Sequence, residues 1–86
     1  MTPDDDKKLI NILKHRDARL TKLELSDGKV ISVWNIAFGY DLGDDFAHIT
    51  TNISPDQPGY DIDFFYTSDV AKVVDGDSGQ IIAEFA

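Results

Sequence analysis

Apolar residues near the start of the chain recur at helical spacing, whereas those further on alternate with polar residues. One helical face carries Leu9, Ile12 and Leu13, with Ile10 at its edge. Thr2 can cap a helix and Pro3 suits the first helical position. The pattern predicts a helix over about residues 3–16, which is too short to be stable alone and must pack on the rest of the chain.

The first strands are predicted around a tight turn. Apolar and charged residues alternate up to Leu25, and Asp27 and Gly28 then supply the strongest local hairpin signal in the chain. The partner strand is long and apolar and runs over about residues 29–40. A two-residue turn pairs Val30 with Leu25, and this register leaves apolar residues on both faces of the second strand. We therefore expect that strand to bend or bulge.

Further short strands are predicted after this hairpin, separated by turn-forming residues. Their ranges are 46–53, 60–66, 70–74 and 80–85, with breaker-rich segments at 54–59 and 75–79. One helix and five or six antiparallel strands should curl into a small barrel, because a flat sheet leaves exposed edges. The expected fold is α+β and mainly β: a single domain over 1–86, with the helix at about 3–16 and the barrel at about 19–86.

Three segments resemble the Sm-like small barrels, which belong to the SH3-like barrel type. Residues 23–30 (LELSDGKV) are similar to the opening hairpin of that family, and residues 38–41 to the end of its long bent second strand. Residues 65–74 are similar to its last two strands and the tight turn between them. Within this group the layout most resembles the small acidic inhibitors of the transcription terminator Rho. The resemblance implies an acidic barrel that meets a basic protein partner.

The chain departs from the Sm-like pattern in two places. Members that bind RNA carry an Asn after the second strand, but residues 43–46 of this chain read GDDF. The predicted strand over 80–85 also goes beyond the usual five strands. The resemblance therefore does not imply RNA binding here.

Charge is divided unevenly along the chain. Residues 1–29 hold seven basic and six acidic residues, whereas residues 30–86 hold ten acidic residues and only Lys72 as a base. The two parts therefore carry +1 and −9, which gives the net charge of −8. The acidic part would repel a nucleic acid, so we expect a basic protein partner and no nucleic acid partner. The same charge also serves solubility, which is the simpler interpretation.

Two acidic segments and one aromatic residue are the candidates for partner contact. Asp41, Asp44 and Asp45 form an acidic loop, and Asp61 and Asp63 lie in the strand predicted over 60–66. Adjacent Phe64 and Phe65 point to opposite faces of that strand. We expect Phe65 to face outward as an interface anchor, unless the N-terminal helix covers it.

Residue types that could carry catalysis or bind a metal are sparse. The segment DGDSG at 75–79 has a calcium-like spacing, but it lacks the later Gly and the Glu of a calcium loop, and a hairpin turn is favoured. The acidic loop has no supporting frame for a cation. His15 and His48 are far apart in sequence, and the chain has no cysteine. We expect no enzyme activity, no cofactor and no metal site.

These observations favour a small, non-enzymatic binding module that docks on a basic protein surface. Modulation of a nucleic-acid-handling factor such as Rho is one form of this hypothesis. An alternative is a self-assembling Sm-like homo-oligomer that pairs through edge strands at 46–53 and 60–66. A small enzyme or metal protein is a further alternative. We expect a cytoplasmic monomer or weak homo-oligomer with no membrane partner, because the chain has no signal-like start and no apolar run of membrane length.

Overall fold

In the computed structural model, which describes residues 1–53 and 58–85, the chain has one helix and seven antiparallel strands. The elements are α1 (Pro3–His15), β1 (Thr21–Leu25), β2 (Val30–Val33), β3 (Ile36–Gly39), β4 (His48–Thr51), β5 (Phe64–Tyr66), a 3₁₀ helix (Thr67–Asp69), β6 (Val70–Asp75) and β7 (Ile81–Glu84). The strands form two sheets, ordered β2-β1-β6-β7 and β3-β4-β5. The predicted mainly β fold behind an N-terminal helix is confirmed. Within the described residues no strand pairing joins the two sheets into a closed barrel.

Helix α1 begins at the predicted residue and ends one residue earlier than predicted. Oγ1 of Thr2 accepts a hydrogen bond from the Asp5 amide, and the Asp5 carboxylate accepts one from the Thr2 amide, both at 3.1 Å. This capping box satisfies two donors that a helix start leaves unpaired, and the bond from the Thr2 backbone holds the pKa of Asp5 below its usual value. The buried apolar face consists of Leu9, Ile10 and Leu13, while Ile12 is half-buried.

The turn between β1 and β2 is one residue longer than predicted. The Leu25 amide donates to the Lys29 carbonyl over 2.8 Å, which leaves Ser26, Asp27 and Gly28 in the turn. Gly28 has a φ of 90°, in the left-handed region that glycine adopts most easily. A three-residue turn that ends in a left-handed residue is a common hairpin connection.

The longer turn shifts the register of the hairpin by one residue. Ile31 lies opposite Leu23 and Val33 lies opposite Thr21, and all four residues are buried. Val30 is exposed, contrary to its predicted pairing with a core residue. A one-residue shift of a strand moves every side chain to the other face. The apolar residues assigned to both faces of the second strand therefore resulted from assuming a two-residue turn.

The predicted bend in the long second strand is a corner at Trp34 and Asn35, where the chain passes from one sheet to the other. Asn52 holds this corner. Its Oδ1 accepts from the Trp34 amide at 2.7 Å, and its Nδ2 donates to the Ser32 carbonyl at 3.0 Å. Asn52 is buried and adopts a φ of 64°, which asparagine tolerates better than most residues.

The later strands are shorter than predicted, apart from β6. Residues 60–63 belong to no strand, so the strand predicted over 60–66 is limited to β5. Residues 54–57 of the predicted breaker-rich connection, and the final residue 86, lie outside the described residues. The segment 75–79 is a hairpin turn, as predicted. There the Asp75 carboxylate accepts from two turn amides, which lowers the pKa of Asp75.

The core lies between the inner faces of the two sheets and the apolar face of α1. Its buried apolar residues are Leu9, Ile10, Leu13, Leu23, Leu25, Ile31, Val33, Ala47, Ile49, Phe65, Val70, Val73 and Ala83. Because both sheets direct alternate side chains into this core, the outer face of the three-stranded sheet is left to solvent.

Candidate protein-docking surface

The acidic loop, defined as Asp41, Asp44 and Asp45, is exposed between β3 and β4. The Asp44 amide donates to the Asp41 carbonyl over 3.0 Å, which closes a turn within the loop. The Asp41 carboxylate lies 3.7 Å from Nε2 of His48, the first residue of β4. The loop therefore lies at one end of the three-stranded sheet, with its carboxylates in water.

Asp61 and Asp63 lie at the opposite end of the same sheet. The Thr51 amide donates to the Asp63 carbonyl over 2.9 Å, and the Asp63 carboxylate forms an ion pair with Nζ of Lys29 at 3.0 Å. Asp61 is exposed, and its carbonyl accepts a hydrogen bond from the buried Asn52 amide group. The predicted acidic residues thus form two groups, separated by the length of the sheet.

Phe65 does not face outward, so the exposure expected of this residue is wrong. Its side chain is 5% exposed and packs in the core, whereas Phe64 is 61% exposed and Tyr66 is also exposed. The physical reason is the pairing of Phe65 with Ile49, whose side chain points into the same core. Successive residues of a strand point to opposite faces, so the outward aromatic residues are Phe64 and Tyr66.

Three rings form a continuous patch on the outer face of the three-stranded sheet, which we call the aromatic face: His48, Phe64 and Tyr66. The imidazole of His48 stacks on Phe64 with centroids 5.7 Å apart, and Phe64 meets Tyr66 edge-on at 5.8 Å. His48 and Tyr66 are direct cross-strand partners. Ring pairs at these distances stabilise one another, so the contacts among the three rings hold the patch in one arrangement.

Gly39 makes room for the aromatic face. It pairs with His48 across β3 and β4, and a Cβ placed on it would lie 3.1 Å from the His48 ring. A side chain at this position would force the imidazole to shift by a few tenths of an ångström. This role was not predicted, although a glycine inside an apolar strand is a signal for a close approach of another group.

Two concavities flank Tyr66. The larger one, about 530 Å³, lies between the β1–β2 turn and β5 and is lined by Phe64, Phe65 and Tyr66 on the β5 side. The smaller one, about 270 Å³, lies between the acidic loop and Tyr66 and includes Asp44 and Asp45. Tyr66 therefore connects the acidic loop to the larger groove.

A buried carboxylate, which was not predicted from the sequence, holds the helix on the sheet. Asp6 is 1% exposed and accepts hydrogen bonds from the Ala47 amide at 2.9 Å, the Thr67 hydroxyl and the Tyr40 hydroxyl. The bond to Asp6 raises the pKa of Tyr40 to about 12. Because both carboxylate oxygens are engaged, we interpret Asp6 as a structural anchor. The sequence signal was Asp6 itself, three positions before Leu9 on the buried helix face.

The two histidines do not form a common site. Nδ1 of His15 lies 2.7 Å from the Asn11 carbonyl oxygen within the last turns of α1, whereas His48 belongs to the aromatic face. Across residues 1–53 and 58–85, no group of three or more His, Asp or Glu side chains is placed to hold a metal ion. No helix in that part of the chain is long and apolar enough to cross a membrane.

Comparisons with known proteins found no match among protein-family models, curated proteins or solved structures. The features that bear on function are therefore the aromatic face, the carboxylates at its two ends and the charge of the chain.

Proposed function

We propose that this chain is a non-enzymatic binding module that docks on a basic protein surface through its aromatic face. The observation that carries the proposal is the placement of carboxylates at both ends of the aromatic face, in which Phe64 and Tyr66 are exposed and His48 is half-buried. Arginine and lysine side chains bind favourably over aromatic rings and beside carboxylates, so such a surface suits a basic partner.

The charge of the surrounding residues supports the same partner chemistry. The acidic loop, Asp61 and Asp63 contribute five carboxylates around the aromatic face, and the nearby Lys29 is already paired with Asp63. Rim charges act mainly on the rate of association, because they steer the approach of an oppositely charged surface. The rings would supply the desolvated centre of the interface, where aromatic residues contribute most.

We include in this proposal that the mainly β fold is an Sm-like or SH3-like barrel. It is supported by the corner at Trp34–Asn35, which divides one long strand between two sheets, and by the 3₁₀ helix between β5 and β6. The resemblance to the acidic Rho inhibitors makes Rho the first partner to examine. Under this proposal the chain works in the cytoplasm and modulates a nucleic-acid-handling factor by occupying its basic surface.

The rate of association with purified Rho, measured at increasing salt, tests this proposal. We expect the rate to fall as salt rises, because attraction between exposed charges is screened over about 10 Å at 0.1 M salt. Changing Asp41, Asp44 and Asp45 together to Asn should slow association further and leave the fold intact, since exposed carboxylates contribute little to stability.

A matched control separates a local effect from net charge. Changing Asp17 and Asp77 to Asn and Glu84 to Gln removes the same charge from exposed positions after α1, in the β6–β7 turn and on β7. The control variant should associate faster than the acidic-loop variant at equal salt. Equal rates for the two variants would show that the acidic loop is not the docking site, and binding that ignores salt would remove the electrostatic basis of the proposal.

Nucleic acid is the partner class that the proposal excludes. Phosphate contacts would need clustered bases, and the basic residues of 1–29 are mixed with six acidic ones. A gel-shift assay at low salt should therefore show no binding of single-stranded RNA. Tight RNA binding would instead favour the RNA-binding function of Sm-like proteins.

Self-assembly is a second candidate, and the free edge of β5 is the observation that favours it. The predicted pairing through residues 46–53 needs correction, because β4 is the middle strand of its sheet and already has a partner on each side. β5 is an edge strand, which another copy could extend. Sedimentation at increasing protein concentration tests this candidate: a concentration-dependent mass supports it, and a monomer at all concentrations contradicts it.

A further inference from the structure

The edge of β5 faces a groove rather than open solvent. The two sheets separate here: the β1–β2 turn forms one wall of the groove of about 530 Å³ and β5 forms the other. We call this space the seam groove. At its far end the Lys29–Asp63 ion pair bridges the two walls at 3.0 Å. Beside the 3₁₀ helix, the Ser26 amide and hydroxyl donate to the Asp69 carbonyl, so the seam groove is a gap between the sheets bounded by contacts at both ends.

The backbone of β5 directs unpaired groups into the seam groove. The Thr51 amide bonds to the Asp63 carbonyl and the Thr67 amide bonds to the Ala47 carbonyl, which fixes which residues of β5 bond to β4. Because bonded pairs alternate along an antiparallel ladder, the amide and carbonyl of Phe64 point away from β4. The Tyr66 amide points the same way and is already bonded to the Asp69 carboxylate at 3.2 Å.

The side chains around the seam groove separate into an apolar floor and an aromatic wall. Leu25 and Phe65, both core residues, form the floor, and Phe64 and Tyr66 stand on the outer side. A strand added beside β5 would point alternate side chains to the two faces of the sheet. Its inward residues would meet the floor, and its outward residues would lie beside the exposed rings.

The charges around the seam groove select the partner. Asp27 and Asp69 line it together with Lys29, whose ammonium group is occupied by Asp63. A second copy of this chain would bring the same carboxylates and a net charge of −8 against them, which opposes self-pairing. A strand with basic outward residues would instead find carboxylates at the rim and aromatic rings alongside.

We propose that the seam groove accepts an extended segment of a partner protein, with alternating apolar and basic residues, as an added strand on the free edge of β5. Main-chain hydrogen bonds to Phe64 provide the affinity and the alternation of side chains provides the specificity. The preference for a basic segment rests on the proposed function; the strand addition rests on the groove and the free edge alone.

The experiment uses the whole chain labelled for NMR and three short synthetic peptides. The first alternates arginine with valine, the second has the same sequence with alternate backbone amides methylated, and the third replaces each arginine by glutamate. Methylation removes the donors of one strand edge without changing charge or side chains. Binding of the first peptide should slow hydrogen exchange of the Phe64 amide, and methylation on the pairing edge should weaken binding about tenfold or more, which corresponds to roughly one or two lost hydrogen bonds.

Each outcome distinguishes the two proposals. Equal binding of the methylated and unmethylated peptides, with shifts confined to the acidic loop and the aromatic face, overturns strand addition and leaves the proposed function standing. Equal binding of the arginine and glutamate peptides overturns the basic preference and with it the proposed function. If none of the peptides protects the Phe64 amide, strand addition is overturned, and association with Rho still tests the docking proposal.

A pair of variants tests the aromatic wall. Phe64→Ala keeps the backbone edge and removes the ring, so binding of the arginine peptide should weaken about two- to fivefold, the scale of one exposed cation–π contact. Ile81→Ala removes an exposed apolar side chain from β7, an edge strand of the other sheet, and should leave the affinity unchanged. Equal effects of the two substitutions would contradict a role for the ring.

Discussion

The hydroxyl of Tyr40 donates a hydrogen bond to Oδ2 of Asp6 over 2.5 Å, although the two residues are 34 positions apart in the sequence. Asp6 lies in the first turns of α1, and Tyr40 directly follows β3. The other carboxylate oxygen of Asp6 accepts from the Ala47 amide and the Thr67 hydroxyl. One side chain therefore connects the helix to three separate segments around the three-stranded sheet.

Replacing this carboxylate should destabilise the fold. Asp6→Ala leaves the Ala47 amide and the Thr67 hydroxyl buried without an acceptor, at about 1–3 kcal/mol for each group left unpaired. Asp4→Ala is the control, because Asp4 is exposed in the same helical turn and its loss should cost about 0.3–1 kcal/mol through the helix dipole. Urea denaturation measures the loss in free energy of unfolding for both variants. Equal losses would show that Asp6 is not an anchor.

Stability should fall at high pH through Tyr40. Its pKa rises from 10.0 to about 12 in the folded chain, chiefly because the hydroxyl donates to Asp6. A group whose pKa is raised on folding stabilises the fold fully below its unfolded pKa, and this contribution is lost as pH rises through the folded pKa. The loss therefore falls between about pH 10 and pH 12.

Tyr40→Phe provides the comparison for that pH range. The variant lacks the hydroxyl, so its free energy of unfolding should decline less steeply than that of the unmodified chain over the same interval. Denaturant midpoints measured at steps of pH report the difference. Parallel curves for the two proteins would contradict the link between Tyr40 ionisation and stability.

Substitution of Asn52 should destabilise the fold in two separate ways. Both Asn52→Gly and Asn52→Ala remove the side-chain hydrogen bonds to Trp34 and Ser32 that hold the corner between the sheets. Both variants keep a φ of 64°, which glycine adopts without strain and alanine does not, so Asn52→Ala should be less stable than Asn52→Gly by about 1 kcal/mol. Thermal melts measure the order of the two variants, and the reverse order would contradict the left-handed conformation of residue 52.

Gly28 tests the geometry of the first hairpin. A Cβ at this position would have no atom within 4 Å, so the cost of substitution comes from its φ of 90° and not from a clash. Gly28→Val should therefore cost about 1 kcal/mol or more. Lys22→Val, at an exposed position of β1, should change stability by less than about 0.5 kcal/mol. Similar melting temperatures for the two variants would contradict the left-handed conformation of Gly28.

Local signals were sufficient for the helix and for most strand positions. Thr2 and Pro3 mark the start of α1, and the apolar spacing around Leu9 marks its buried face, because these signals act within one or two turns. The length of the turn between β1 and β2 could not be predicted from local signals. Asp27 and Gly28 fit either a two-residue or a three-residue turn, and only the fit of Ile31 against the rest of the core decides between them.

For the candidate site, the structure agrees with the sequence on the exposure of the acidic loop and disagrees on the outward aromatic residue. The acidic loop is exposed, but the choice between Phe64 and Phe65 depended on the register of β5 against β4, which is a long-range property. Asp6 was missed for a related reason. Its place three positions before Leu9 puts it on the buried helix face, but an acidic residue in the first turn of a helix already has a local explanation in the helix dipole, so its buried partners were not predicted.

The anchoring of α1 has a consequence for synthesis on the ribosome. Helix α1 is synthesised before the strands it packs on, and the Thr67 hydroxyl that donates to Asp6 follows it by 61 residues. An isolated helix of 13 residues is marginal in water, so the nascent segment should remain largely unfolded until β5 and the 3₁₀ helix have been translated. Helix α1 is thus ordered by residues that are synthesised much later, and a nascent chain stalled before residue 67 would leave Leu9, Ile10 and Leu13 exposed to solvent.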